Sequence, residues 1–447
     1  MEILATDSKK ILFVYPSISN ELRIPLAISI LTAVVRKAGH EVRVFDPTFM
    51  GEFHTDNEKM AKLGTHQSVD LKIASNKLDP KTELDKLIKD FKPDLICVSL
   101  VERNIFTAKK LLHDVDIPVL AGGIMPSIAP EFVKSQPWID YVCDGEGEDF
   151  ILDFLKDPKT TTKRLTDINN IPEQDWTDFD ERHLRKPFMG KVYRGGAFEL
   201  SRGCFGACTF CVAPRLRERS KGLGCYHRTK DPIVCISEIE HKIKDYDLNM
   251  VAFGDTDFLR GVDKKVMKNF LTMYAERIKT PFTMQCSVGT LLDEDILSLL
   301  RKAQCCAISV GVESGSQRMQ KQVLKKVIPM EMIKKAFDLC RKYELRTTAN
   351  YMMGLPYETE EDCRKTIELN RIINPPSIAV TFFTPFIGTD LYDVCIKEGF
   401  YKPFQENVYE YPPLQMHQLP QEKILSLVKE FTDDFRNYQQ DFNILGE

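Results

Sequence analysis

Three of the thirteen cysteines in this chain fall in one short run, GCFGACTFC, as Cys204, Cys208 and Cys211. The thiolate is the strongest nucleophile and soft-metal ligand among side chains. Three thiolates from one loop with a CxxxCxxC spacing can hold three irons of a 4Fe-4S cube and leave the fourth iron open to a small molecule. A structural zinc site is the competing chemistry, with Cys225 as its fourth ligand at ribbon-like spacing. The other cysteines stand alone or where a small buried hydrophobe serves, as with Cys97, Cys340 and the adjacent Cys305 and Cys306. An odd number scattered over a long chain argues against a disulfide framework.

The elements around that run assign it a place. The cysteines follow AFELSR (197–202), the first of six apolar strands continued by MVAFGD (250–255), FTMQCSV (282–288), AISVGVE (307–313), TTANYMMG (347–354) and IAVTFFTP (378–385), with helical stretches between them. Six βα units in series predict a closed or partly closed parallel barrel with its active site on the loops after the strands. A thiol loop at the carboxyl end of the first strand lies where such barrels do chemistry, which favours the cluster over zinc. Upstream, ILFVY (11–15), EVRVF (41–45), DLICVSL (94–100), PVLAGG (118–123) and YVCDGEGE (141–148) alternate with amphipathic stretches such as Leu84 to Phe91. This series predicts an α/β doubly wound domain of Rossmann or flavodoxin type, which binds ligands at strand carboxyl ends.

The expected domains are residues 1–155, a linker at 156–194, a partial (β/α)6 barrel of TIM type at 195–390 and a small, mostly helical C-terminal segment at 391–447. The polar stretch Thr48 to Lys81, with His54 and His66, reads as an insertion or lid. Trp176 in the linker is expected to dock on one of the domains. An amphipathic helix from Glu422 to Phe435 serves as a packing cap or a partner site.

Composition excludes several classes. With 61 Lys plus Arg against 65 Asp plus Glu, net −4, the surface lacks the basic excess of a protein that neutralises nucleic-acid phosphates. The apolar run Ile24 to Val35 is too short to span a bilayer, and the uncharged stretch Ile372 to Thr389 is broken by Pro375, Pro376 and Pro385. The N-terminus carries acids rather than an apolar signal core, so a cytoplasmic protein without a membrane span is expected.

Five further segments follow in order: YHRTKDPIVCISEI (226–239), FGDTDF (253–258), GVESGS (311–316), MGLPYET (353–359) and FTPFIGTDLY (383–392). Together with the cysteine run they make residues 197–390 resemble the radical S-adenosylmethionine (SAM) superfamily, in particular its branch with an N-terminal B12-binding domain. The resemblance implies a 4Fe-4S cluster on Cys204, Cys208 and Cys211 whose open iron chelates SAM, and reductive cleavage to methionine and a 5′-deoxyadenosyl radical that abstracts hydrogen. It further implies that Phe210 shields the cluster and touches adenine, while Glu313 accepts hydrogen bonds from the ribose. Core packing and helix capping are their ordinary alternatives. Asp255 and Asp257 would hold the SAM ammonium or the substrate, or cap the next helix. Ser287 and Thr348 would point to the same rim, and Arg228 would clamp a carboxylate or form a salt bridge.

Residues 11–150 resemble cobalamin-binding domains through IPLAISILTAVVRKAGHEVRVFD (24–46), AGGIMPS (121–127) and CDGEGED (143–149). The implied contacts are Ser99, Val101, Asn104, Gly122, Gly123, Pro126, Gly145 and Glu146. Glycine pairs permit close backbone approach to a large planar ligand. No DxHxxG motif is present and His40 reads as structural. Cobalamin would therefore bind base-off, its lower face free or water-ligated near Leu100 to Asn104; a domain retained only as a fold is the alternative.

The resemblance implies a cobalamin-dependent radical SAM enzyme that methylates an unactivated carbon of a small molecule or peptide, with methylcobalamin as donor and a low-potential ferredoxin or flavodoxin as electron source. The same machinery performing a rearrangement, ring closure or oxidation is the second reading, and a corrinoid carrier or sensor the third. A methylthiotransferase acting on tRNA needs three more N-terminal cysteines, whereas residues 1–150 hold only Cys97 and Cys143.

Overall fold

The computed structural model describes residues 8–17, 22–51, 71, 73, 76–161, 163–403 and 411–439. His54, His66 and most of the expected insertion lie outside the described residues. The chain divides into two compact units, one made of residues 1–56, 70–197 and 216–228, the other of 57–69, 198–215 and 229–447.

The first unit holds a five-stranded sheet of β1 (Lys10–Val14), β2 (Glu41–Phe45), β3 (Leu95–Ser99), β4 (Val119–Gly122) and β5 (Tyr141–Val142). Its order is β2-β1-β3-β4-β5 and every pairing is parallel. This is the flavodoxin-like order, with its switch point between β1 and β3. Ile11, Leu12, Val14, Ile96 and Ala121 are fully or almost fully buried, as strands covered by helices on both faces require. The helix Pro80–Phe91 shows local punctuation at both ends. Asp79 accepts from the Thr82 amide at its start, Pro80 opens its first turn, and Lys92 ends it at φ 51°.

β5 is shorter than YVCDGEGE suggested. Cys143 still donates its amide to Ala121 O, but Gly145 turns at φ 138° and the helix Gly147–Lys156 begins two residues later. The expected linker also holds order that its polar composition concealed. Arg185–Phe188 (β6) and Lys191–Phe198 (β7) form an antiparallel hairpin through Met189 and Gly190, both at positive φ (47° and 74°). Two central residues at positive φ match the right-handed twist of hairpin strands. Trp176 docks on the first unit: its indole N–H donates to Gln174 Oε1 at 3.0 Å, and the Ser29 hydroxyl donates to the same atom at 2.9 Å.

β7 crosses into the second unit at Phe198, whose carbonyl takes the Gly254 amide at 2.8 Å. β8 (Ser201–Arg202) and β9 (Arg228–Thr229) are two-residue strands. β10 (Met250–Phe253), β11 (Phe282–Ser287), β12 (Cys305–Glu313), β13 (Thr347–Met353) and β14 (Ser377–Phe382) follow side by side in chain order, all parallel. With β7 they form the six strands of a partial barrel, and intervening helices bury apolar faces such as Ile296, Leu297 and Leu300. Phe253, Phe258, Phe270, Tyr274 and Phe282 pack as an aromatic cluster beneath β10 and β11.

The last helix, Gln421–Gln439, buries Ile424, Leu427, Val428 and Phe431. Phe431 meets Tyr351 at 5.2 Å between ring centroids, and Arg364–Glu430 and Arg371–Asp434 pairs flank the contact. It is a packing cap on the barrel. Replacing Trp176 with alanine is expected to destabilise the first unit by about 3–5 kcal/mol, as for large aromatic truncations in cores; urea unfolding followed by far-UV circular dichroism measures it.

Candidate functional site

The thiol loop is suspended between several anchors. Before it, Asp255 Oδ2 accepts from the Leu200 amide at 3.1 Å, and Oδ1 accepts from the Ser201 amide (2.5 Å) and hydroxyl (2.7 Å). Within it, the Thr209 amide and hydroxyl donate to the carbonyls of Leu324 (3.2 Å) and Val323 (2.6 Å), while Thr209 O accepts from Leu391 N. Cys204 Sγ accepts from the Gly206 amide at 3.3 Å and Cys211 Sγ from the Ala213 amide at 3.5 Å. A Cβ at Gly206 would lie 3.4 Å from Cys204 Sγ, 3.7 Å from Cys208 Sγ and 3.7 Å from Arg260 Nη1. Two thiols and a guanidinium therefore face one point, and a side chain there would intrude between them.

All three cysteines are partly exposed, whereas eight of the others are buried. Burial pushes the Cys208 thiol up to about 11 and raises Cys211 as well, although the Ala213 amide opposes the latter. Metal binding at such thiols displaces protons. The donor set fits a cube, which takes one thiolate per iron and amide hydrogen bonds to its sulfurs. Cys225 donates its thiol to His227 O at 3.0 Å.

At the same mouth, Glu313 ends β12 at φ 69°, and its Oε1 accepts from Lys326 Nζ at 2.8 Å. Asp257 Oδ1 accepts the Arg260 amide and Oδ2 the Ser287 amide, each at 3.2 Å, and burial raises its pKa against these bonds. Glu313, Asp257, Ser287 and the cysteine loop thus share the carboxyl rim. Phe210 is half-buried in the turn closed by the Cys211 amide on Cys208 O.

Two expected rim residues have other places. Asp255 is 2% exposed with both oxygens engaged by residues 200 and 201, so it braces the loop and does not face the mouth. Arg228 donates both terminal nitrogens to the Glu146 carboxylate and a further bond to Thr166 O at 2.9 Å. Its fork is filled by Glu146, since a guanidinium pairs with one carboxylate in this bidentate way.

Thr348 faces the same side of β13 as Asn350, but it is registered with Ser309, four residues before the rim residue Glu313. It lies deeper in the barrel, where Asn350 Nδ2 donates to Ser309 Oγ at 2.7 Å and Gln285 Nε2 to Asp255 O at 2.8 Å. Lys326, Arg260, Gln285, Ser309 and Asn350 escaped notice in the sequence. The last three carry a readable signal: polar residues recur at period two in otherwise apolar strands, as in Thr283, Gln285 and Ser287, which marks one face as polar.

In the first unit, three loops gather at the sheet's carboxyl edge. Leu100 N donates to Gly122 O (2.8 Å), Met125 N to Leu100 O (3.1 Å), and Ser127 Oγ to Gly123 O (2.8 Å) and Gly145 O (3.3 Å). Gly123 sits at φ 107°, where a Cβ would lie 2.8 Å from Leu100 O, so the protein's own backbone requires this glycine. Asn104 accepts from Val101 N and donates to Ser99 O, each at 2.9 Å, which consumes its amide in shaping the loop. Pro126 is buried, while Val101 and Ile124, 36% and 45% exposed, present apolar surface there. Gly145 has open space around it. His40 accepts the Lys9 amide at 3.2 Å, a structural bond.

A flavodoxin-like domain followed by a half-barrel whose first loop carries three thiols defines a two-domain enzyme class. Residues 21–155 match the B12 binding domain model and residues 198–369 the Radical SAM superfamily model. The chain belongs to the radical SAM enzymes that carry an N-terminal B12-binding domain. These domains imply a 4Fe-4S cluster with SAM, and cobalamin. The sequence is similar to anaerobic magnesium-protoporphyrin IX monomethyl ester cyclase of Rubrivivax gelatinosus, 25% identical over 343 residues, covering 68% of this chain and 59% of that protein. It is also similar to hopanoid C-2 methylase of Rhodopseudomonas palustris (strain TIE-1), 25% identical over 292 residues, covering 64% of this chain and 54% of that protein. The chain thus spans less than two thirds of these relatives. The fold is similar to that of the radical S-adenosylmethionine methyltransferase TsrM from Kitasatospora setae with cobalamin and 4Fe-4S cluster bound: TM-score 0.64, 19% identity, 96% of this chain and 85% of that chain. Among the described residues no helix is long and apolar enough to cross a membrane.

Burial raises the Asp255 carboxyl from 3.8 to about 7. Between these values the folded protein keeps a proton that the unfolded chain has released, so this group's contribution to stability falls as pH rises from 4 towards 7. Asp255→Asn is expected to lack this part of the fall, at most about 1.4 kcal/mol per pH unit. Urea titrations of both proteins across that range measure the difference.

Proposed function

We propose that the chain is a cobalamin-dependent radical SAM methyltransferase acting on an unactivated carbon of a small-molecule or peptide substrate. The observation that carries the reading is the set of three partly exposed thiols held on one braced loop at the barrel's carboxyl rim, where Glu313 also ends its strand. Cys204, Cys208 and Cys211 would ligate the cluster. Glu313 would accept from the SAM ribose hydroxyls, Asp257 and Ser287 would line the same mouth, and Phe210 would cover the cluster from the loop. Asp255 would act from behind by holding residues 200 and 201.

In the first unit, Ser99, Val101, Gly122, Gly123, Ile124 and Gly145 would face the corrin. The exposed apolar side chains of Val101 and Ile124 suit a large macrocycle, and no histidine is expected below the cobalt. When bound, the cluster and SAM supply the 5′-deoxyadenosyl radical and cobalamin supplies a methyl carrier. The protein's part is to hold these groups, to orient the substrate's C–H bond and to exclude water. A low-potential ferredoxin or flavodoxin is the expected electron source.

Similarity to a cyclase favours one second reading, a radical ring closure with no net methyl transfer. SAM labelled in its methyl group separates the two by mass analysis of the product: label in the product supports methyl transfer, and deoxyadenosine without label transfer supports the second reading. Anaerobically reconstituted protein is expected to carry iron and one corrinoid per chain by elemental analysis. Cys208→Ala is expected to lose cluster iron and to reduce deoxyadenosine formation to background, and retained SAM cleavage would sink the cluster assignment.

A further inference from the structure

We propose that Lys326 is a positioning residue of this site: its ammonium holds the Glu313 carboxylate in place and supplies the positive charge that balances the acidic groups around the thiol loop. The inference deepens the reading above and rests on it. An ammonium offers three N–H donors, and two are assigned here, to Glu313 Oε1 and Gly311 O, each at 2.8 Å. The pair is well enclosed, the two side chains being 15% and 12% exposed.

Three separate features of the backbone prepare this pair. Gly311 leaves it room, because a Cβ there would lie 2.8 Å from Lys326 Nζ and closer still to Glu313 Oε1. Glu313 sits at φ 69°, where the β12–β13 register shifts between Gly311 and Glu313. On the other side a five-residue π-helix, Met319–Val323, leads to Lys325 at φ 47°. Gln320 then fixes the next turn: its carbonyl takes the Lys326 amide (3.0 Å) and its Oε1 the Ile328 amide (2.8 Å). Left-handed non-glycine residues and π-turns cost energy and gather at functional sites, and here both converge on one ion pair.

That pair lies beside the thiols. The carbonyls of Val323 and Leu324 anchor Thr209, between Cys208 and Cys211, so the turn that carries Lys326 is tied directly to the thiol loop. A cluster on three thiolates gains negative charge on reduction. Without Lys326 the Glu313 carboxylate stands uncompensated next to it. A neutral residue at 326 therefore disfavours the added electron and loosens Glu313 towards SAM.

The test compares anaerobically reconstituted wild type, Lys326→Gln and Gly311→Ala by iron content, by SAM binding and by potentiometric titration of the cluster without SAM. Lys326→Gln is expected to retain its iron, bind SAM about tenfold more weakly, and reduce with an equilibrium constant about tenfold lower, about 59 mV for a one-electron couple. Gly311→Ala, which keeps Lys326 but forces the pair apart, is expected to weaken SAM binding to a similar degree. Iron-loaded Lys326→Gln with unchanged potential and SAM affinity would overturn this inference alone. Wild type that binds no iron would overturn it together with the cluster reading.

Discussion

The carboxylate of Asp255 closes the end of β10 onto the first residues after β7, and the chemistry at the barrel mouth depends on that closure. A strand amide left without a partner in a dry interior costs free energy. Asp255 removes that cost at Leu200 and Ser201 and thereby fixes the point at which the cysteine loop departs. Burial raises its pKa to about 7, so the brace is itself under strain from desolvation. Beside it lies a buried set of charges, Glu199, Lys230 and Glu238. Cys235 donates to Glu199 O in the same region. The loop rests on a polar foundation inside the barrel.

Charge is managed differently in the two units. In the second, Lys326 and Arg260 stand near the thiols, and Glu313 and Asp257 stand with them. In the first, the acidic turn after β5 is occupied by Asp144 with Lys163 and Arg219 and by Glu146 with Arg228. Residues 216–228, which follow the cysteine loop in the chain, belong with the first unit. At the carboxyl edge of the flavodoxin-like sheet, Val101 and Ile124 present exposed apolar side chains.

Both sheets were legible because parallel strands buried on two faces read as continuous Val, Ile and Leu runs, and their βα spacing leaves few topologies. The hairpin of β6 and β7 was not legible. Arg185, Lys186, Lys191 and Arg194 give it the composition of a linker, and only the positive φ at Met189 and Gly190 explains the reversal. Arg228, whose alternative reading is the ion pair it forms, and Asp255 show a different limit. Each lies in a motif of the right composition, yet each has its polar atoms taken by a partner distant in sequence, Glu146 in one case and residues 200 and 201 in the other.

The sequence by itself determined the two α/β domains, their order, and the presence of three thiols after the first barrel strand, because periodicity and short-range spacing are local properties of a chain. It also marked Glu313 by its place at a strand end. Only the tertiary structure decided which charged groups face the thiols and which support the frame. Lys326 stands thirteen residues from Glu313 in sequence and 2.8 Å from it in space. That closeness depends on a π-turn, two left-handed residues and one missing Cβ. A polar side chain's role follows from the partner that claims its hydrogen bonds, and that partner is chosen by the fold.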